Sequence, residues 1–266
     1  MGDTLTDVLL APAPALDETA WAAALRDARA ILADVAVRRA GAGPFRITDH
    51  DIRVAHAPDG ARADGDAFAW TARTARRALG LGALRLLVEG KARTPVDAVH
   101  HRLEEAAAWV RDGMAATTRL DHWVAGLSPA ASAAVGADAV TWATRLWGAL
   151  DWAASATPPV IGRDHWWDSP HSALLALRGR ADVRLEGAHL VVLSGPRRES
   201  VQAELALVAL VEALRARPGG PGRVVGWWPE SGRLVRVEAE PAVLTLGARA
   251  VATVLGGPAS TLRPAA

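Results

Sequence analysis

The chain has 266 residues, half of them hydrophobic and 22% charged, with 30 Lys+Arg against 29 Asp+Glu and a net charge of +1. That composition excludes a disordered chain and gives no global electrostatic case for nucleic acid, so any such footprint has to be a local patch. Cysteine is absent, which rules out disulfides and thiolate metal sites, and no apolar run reaches the ~18 uncharged residues that suggest a membrane span.

Lys91 is the single lysine, so the positive charge is almost all arginine. Tyrosine is absent and tryptophan occurs 11 times, leaving Phe45 and Phe68 as the only other large aromatic anchors. The amino terminus lacks the basic start of a secretory signal, and the reading expects a cytosolic protein with no membrane partner.

In chain order, residues 17–40 predict a helix, with Asp17 as N-cap and Trp21, Leu25, Ala28, Leu32 and Val35 at helical spacing. Residues 45–56 read as a short strand or turn leading into a Gly/Asp/Ala loop at 57–67. A second helical region runs from Phe68 to Glu89, and Thr94-Pro95-Val96-Asp97 opens a third helix that should reach about Asp112. Ser128-Pro129 starts another, with an interruption expected near Gly136, and Thr157-Pro158-Pro159 stops it.

Beyond that stop the texture changes to short apolar strands at 174–177, 181–185 and 190–193, the last two joined at Glu186-Gly187. An amphipathic helix over about 199–217 follows, then strands at 223–228 and 234–238 around the turn Pro229-Glu-Ser-Gly232, then a helix from Pro241 to about Leu255. This order predicts an α+β protein: a mainly helical lobe over 1–157 and an α+β core over 158–266, packed as one unit.

Gly179-Arg-Ala-Asp182 stands ahead of the hairpin, Ser194-Gly195 closes its second strand, and Gln202 lies early in the next helix. This pattern resembles the RecB/Cas4-like nucleases of the PD-(D/E)XK superfamily over roughly residues 170–240. The resemblance implies a restriction-endonuclease-like mixed sheet flanked by helices. In that family an acid and a lysine, one residue apart, precede the closing Ser/Thr-Gly; here those positions hold Val191 and Leu193. The resemblance therefore implies a degenerate nuclease, acting as a nucleic-acid-binding or protein-interaction module.

Nucleases of this type hold Mg²⁺ on carboxylates to generate the attacking hydroxide and stabilise charge on phosphate. Asp182 is the one acid that the pattern keeps. An active alternative relocates the second acid to the helix, making Asp182 and Glu204, or Glu199, the Mg²⁺ ligands, with Arg184 or Arg197 replacing the lysine. Glu204 as a solvated residue on the helix's polar side is the competing reading.

Three further groups stand out. Asp164-His165-Trp-Trp-Asp168-Ser-Pro-His171 gathers ligand types suited to a transition metal, against a reading as an irregular loop pinned by Trp packing. His100/Glu104 and His101/Glu105 are helical i, i+4 pairs: the resemblance implies that a helical His ahead of the sheet can join the metal site, which makes His100 or His101 a candidate ligand, against a reading as routine ion pairing on an exposed face. Arg76, Arg77, Arg180, Arg184, Arg197 and Arg198, with Gln202, are the candidate nucleic-acid contacts, joined by Arg73, Arg93 and Arg178 if the two halves line one groove. Trp166, Trp167, Trp227 and Trp228 are candidate stacking residues, with at least one of each pair expected in the core. The third alternative is a Trp-rich protein scaffold that does not bind nucleic acid.

Overall fold

The structure, a computed structural model, describes residues 4–39, 44–57, 70–113, 119–169, 175–215 and 222–256. In chain order the elements are α1 (Leu5–Leu10), α2 (Glu18–Arg38), β1 (Phe45–Ile47), α3 (Asp49–Ala55), α4 (Ala72–Val88), α5 (Pro95–Arg111), α6 (Arg119–Ala125), α7 (Pro129–Ala149) and β2 (Val160–Ile161). There follow β3 (Asp164–Asp168), β4 (Leu175–Arg180), β5 (Val183–Leu185), β6 (Ala188–Val192), α8 (Val201–Arg215), β7 (Arg223–Trp228), β8 (Arg233–Glu238) and α9 (Pro241–Gly256). The class is α+β with mixed sheets. Among the described residues no helix is long and apolar enough to cross a membrane.

Two compact units divide the chain, Met1–Thr6 with Asp66–Gly162, and Asp7–Gly65 with Arg163–Ala266. The change of texture near residue 157 is thus close to one junction, but residues 7–65, expected in the helical lobe, belong with the sheets. The reason is the stripe on α2. Ala28, Leu32 and Val35 enter one buried cluster with Leu244, Ala248 and Val251 of α9, where their apolar area is removed from water.

In the first unit α4, α5, α6 and α7 pack on one another, and the caps are those the sequence announces. Thr94 Oγ1 accepts the Asp97 N–H at 3.1 Å and Ser128 Oγ the Ala131 N–H at 3.2 Å, each followed by proline at the first helical position, where a missing N–H costs nothing. The expected break near Gly136 is absent. Gly136 is buried against Leu103, and α7 runs through it.

The second unit holds two sheets with α8 against both. In the first, β4 is central, parallel to β1 and antiparallel to β3. In the second, β5, β6, β7 and β8 lie side by side in that order; β6 and β7 are parallel, with α8 as their crossover. Gly187, at φ 74°, makes the tight turn of the β5–β6 hairpin. A Cβ at Gly179 would stand 2.9 Å from Val211 Cβ, so glycine lets α8 lie directly on β4.

Three expectations fail here for identifiable reasons. Residues 49–55 form α3, closed at its start by Thr48 and Asp51, whose side chain accepts the Thr48 N–H at 2.8 Å. Residues 164–168 form a strand, not an irregular loop, because their alternation matches the pleat. The helix α8 is buried on nearly every side, since sheet strands and α9 surround it, and its apolar stripe therefore understates its burial.

Candidate functional site

Asp182 follows β4 and precedes β5, and is 1% exposed. Its backbone N–H donates to Leu190 O at 2.7 Å, and its Oδ2 accepts the Val192 N–H at 2.6 Å. A carboxylate in this position fastens β6 to the chain entering β5. Val191 and Leu193, where the resemblance places an acid and a lysine, are buried with Ala181, Leu205, Val208 and Trp228. That face of β6 is hydrophobic core.

Glu204 sits in the first turn of α8 and is 3% exposed, so the solvated reading of this residue does not hold. Arg198 binds it with both arms of its fork, Nε to Oε1 and an NH2 to Oε2, each at 2.6 Å. Ser200 Oγ donates to Oε1 at 2.7 Å, and Arg53 of α3 donates to Oε2 at 3.3 Å. Burial alone would push this carboxyl up; the hydrogen bonds from Arg198 and Ser200 and the charge of Arg53 outweigh it and hold the group below its ordinary range.

Asp49, at the start of α3, is shared in the same way. Its oxygens lie 3.2 Å from Arg180, 3.4 Å from Arg53 and 3.6 Å from Arg178. Burial opposes the charge on Arg180, but Asp49, Asp182, Asp164 and Glu204 together raise its pKa above the ordinary value. The two acids singled out in the sequence therefore act on one guanidinium.

These donors do not fit Mg²⁺, which takes a near-octahedral shell of oxygens. Both Glu204 oxygens are engaged by arginines, and a divalent cation there would meet the positive charges of Arg198 and Arg53. Among the described residues no group of three or more His, Asp or Glu is arranged to hold a metal ion.

A second buried carboxylate, Glu212, stands two turns further along α8. His165 Nδ1 approaches its oxygens at 2.7 and 2.9 Å, and an NH2 of Arg184 donates to Oε1 at 3.3 Å. His189 Nε2 is 3.8 Å from Oε2, an electrostatic neighbour beyond hydrogen-bond length. Burial works against the charge on Glu212, but the two imidazoles and Arg184 pull its pKa down to about 2. His165 moves below its ordinary value because burial outweighs the attraction of Glu212. Burial also lowers Arg184, which binds Gly179 O at 3.2 Å.

Of the predicted contacts, Arg180 belongs to the Asp49 group, while Arg198 and Arg184 are turned inward onto Glu204 and Glu212. Arg197 and Gln202 are exposed, and Arg76 and Arg77 lie on α4 in the first unit. His165 is parted from its expected companions: Asp164 and Asp168 face the other side of β3, and His171 lies outside the described residues. On α5, His100 Nε2 is 3.5 Å from Glu104 on an exposed face, and Glu105 pairs with Arg102. Trp227 and Trp228 are both buried in β7, which is covered on both faces.

Among the described residues, the β1–β4–β3 sheet has an outward face. Its inner side carries Phe45, Ile47, Leu175 and Leu177; its outer side carries Arg46, Ala176, Arg178, Arg180, Asp164, Trp166 and Asp168. Trp166 is 40% exposed, with the Arg46 and Arg178 guanidinium carbons 5.9 and 5.8 Å from its ring centroid. Arg46, Asp49, Arg53, His189 and Glu212 were not picked out from the sequence. Alternation around residue 46 could have signalled Arg46; nothing local marks the others. Comparison with protein-family models, with curated proteins and with solved structures finds no match.

Proposed function

We propose that the second unit is a non-catalytic nucleic-acid-binding module on a PD-(D/E)XK-type frame. The observation that carries the reading is the outer sheet face, where an exposed Trp166 stands between Arg46 and Arg178 with Arg180 on the next row. Arg46, exposed beside the ring, offers a guanidinium to phosphate and Trp166 an aromatic plane to a base, while Arg178 and Arg180 are held by Asp49. The β5–β6 hairpin and the α8 crossover to the parallel strand β7, with Asp182 ahead of β5, support the frame. The arginine clamp on Glu204 and the apolar Val191 and Leu193 favour binding without cleavage.

The test is binding and cleavage of labelled single- and double-stranded DNA and RNA across a salt series, with and without Mg²⁺ or Mn²⁺. Salt-sensitive binding without cleavage is expected, weakened roughly tenfold by Arg46→Glu. Metal-dependent cleavage that disappears in Asp182→Ala would overturn the non-catalytic reading and point to Asp182 and Glu204 as a rebuilt centre. No binding to any of these nucleic acids would leave a protein-interaction scaffold.

A further inference from the structure

We infer that β3 is an acid-released edge strand, latched to α8 by the charge cluster around Glu212. The cluster draws on both sheets. His165 comes from β3, Arg184 from β5, His189 from β6 and Glu212 from α8, and Arg215, at the end of the same helix, acts on both His165 and Arg184. At this level β4 and β7 contribute Gly179, paired with His165, and Val224, paired with His189, neither of them charged.

With both imidazoles neutral, the charges of Arg184 and Glu212 cancel. Each proton that either ring takes up adds a positive charge around one carboxylate that Arg184 already engages. Asp164 offsets part of that charge from the outer side of β3, and Arg215 adds to it. His189 is 8% exposed, and neither of its ring nitrogens has a hydrogen bond among the described residues. Buried charge of one sign is relieved by taking a member of the cluster to water.

The element free to move is β3. β6 is bonded to β5 and β7, and α8 is buried on nearly every side, whereas β3 ends its sheet and is bonded to β4 alone. Its inward side chains are Trp167, half-buried against the core, and His165, 23% exposed and held by Glu212. Burial, opposed by Glu212 and reinforced by Arg184 and Arg215, keeps His165 below its ordinary pKa of 6.5. The open strand therefore binds the proton more tightly than the closed one, and opening gains as the pH falls below about 6.5 toward the closed-state value. Release carries Trp166, Asp164 and Asp168 off the outer face together, whatever that face binds.

Amide hydrogen exchange of the full chain between about pH 7.5 and about pH 5.5, corrected for its intrinsic pH dependence, reads the release. The β3 amides bonded to β4 should be at least about tenfold less protected than those of β6 and β7 throughout, and their protection should fall by about tenfold more across that range. A low urea concentration should leave their exchange unchanged, since local opening exposes little surface. His165→Gln, which can still donate to Glu212 but takes up no proton, should lose most of the fall; circular dichroism checks that its fold is kept. β3 exchanging only as fast as β6 and β7, protection that ignores pH, or a fall that keeps its full size in His165→Gln would each overturn the latch.

Discussion

Glu204 and Glu212 lie two turns apart on α8, both buried, and differ in what meets them. Glu204 is met by Arg198, Arg53 and Ser200, whose side chains carry fixed charge or a hydroxyl. Glu212 is met by one arginine and two imidazoles. The first set keeps the same charge throughout the neutral and mildly acidic range; the second includes His165, which gains charge as the pH falls. A carboxylate on a buried helix therefore does not define a site by itself. Its partners decide whether it is a clamp that holds a loop to α8 or a group that senses protons.

Removing each negative charge in turn tests that contrast. Glu212→Gln should have the larger effect, destabilising the second unit by about 3 kcal/mol or more, because Arg184 is only 6% exposed and would keep a buried charge without its counterion. Glu204→Gln should cost about 2 kcal/mol, since the Arg198 and Arg53 side chains are 19% and 37% exposed and can turn to water once released. Urea unfolding followed by tryptophan fluorescence reads both, as Trp227 and Trp228 are buried in this unit. The reverse order would mean that the Glu204 clamp is the stronger of the two and that solvent access does not set the difference.

Much of the frame could be read from local signals. Asp17, Thr94 and Ser128 mark helix starts through side chains that accept N–H groups three residues on. Glu186-Gly187 marks a turn because one of its residues has to take positive φ. The helix α3 escaped because Asp49-His-Asp-Ile-Arg-Val-Ala55 is short and polar, with one fully buried apolar side chain, Ile52. The strand β3 escaped because charge and bulk at an edge look like a loop in one dimension.

The candidate acids were legible as residues, but not their surroundings. Arg53 and Glu204 are separated by 151 positions, and His165 and Glu212 by 47, so neither pairing leaves a periodic trace. The outer sheet face was half legible: Arg178, Arg180 and Trp166 were noticed, while Arg46 joins them only through the parallel pairing of β1 with β4.

The smallest predicted effect is also the one that separates the two carboxylates by chemistry. Burial holds His165 below its ordinary pKa of 6.5, with Arg184 and Arg215 also lowering it and Glu212 opposing them. On acidification the unfolded chain takes up this proton first, so stability declines as the pH falls below about 6.5 toward the folded-state value. Glu212, at about 2 against 4.5, contributes fully above 4.5 and loses that contribution between 4.5 and 2. The lowered carboxyl of Glu204 follows the same direction below 4.5, but none of its hydrogen-bond partners titrates between 6.5 and 4.5. A fall of a few degrees in melting temperature is therefore expected between about pH 7 and about pH 5, and His165→Gln should make that segment flatter. Glu204→Gln should leave the slope of the same segment unchanged while lowering the whole curve. A slope that survives His165→Gln, or one that vanishes in Glu204→Gln, would place the proton-sensitive group elsewhere and remove the distinction between the two ends of α8.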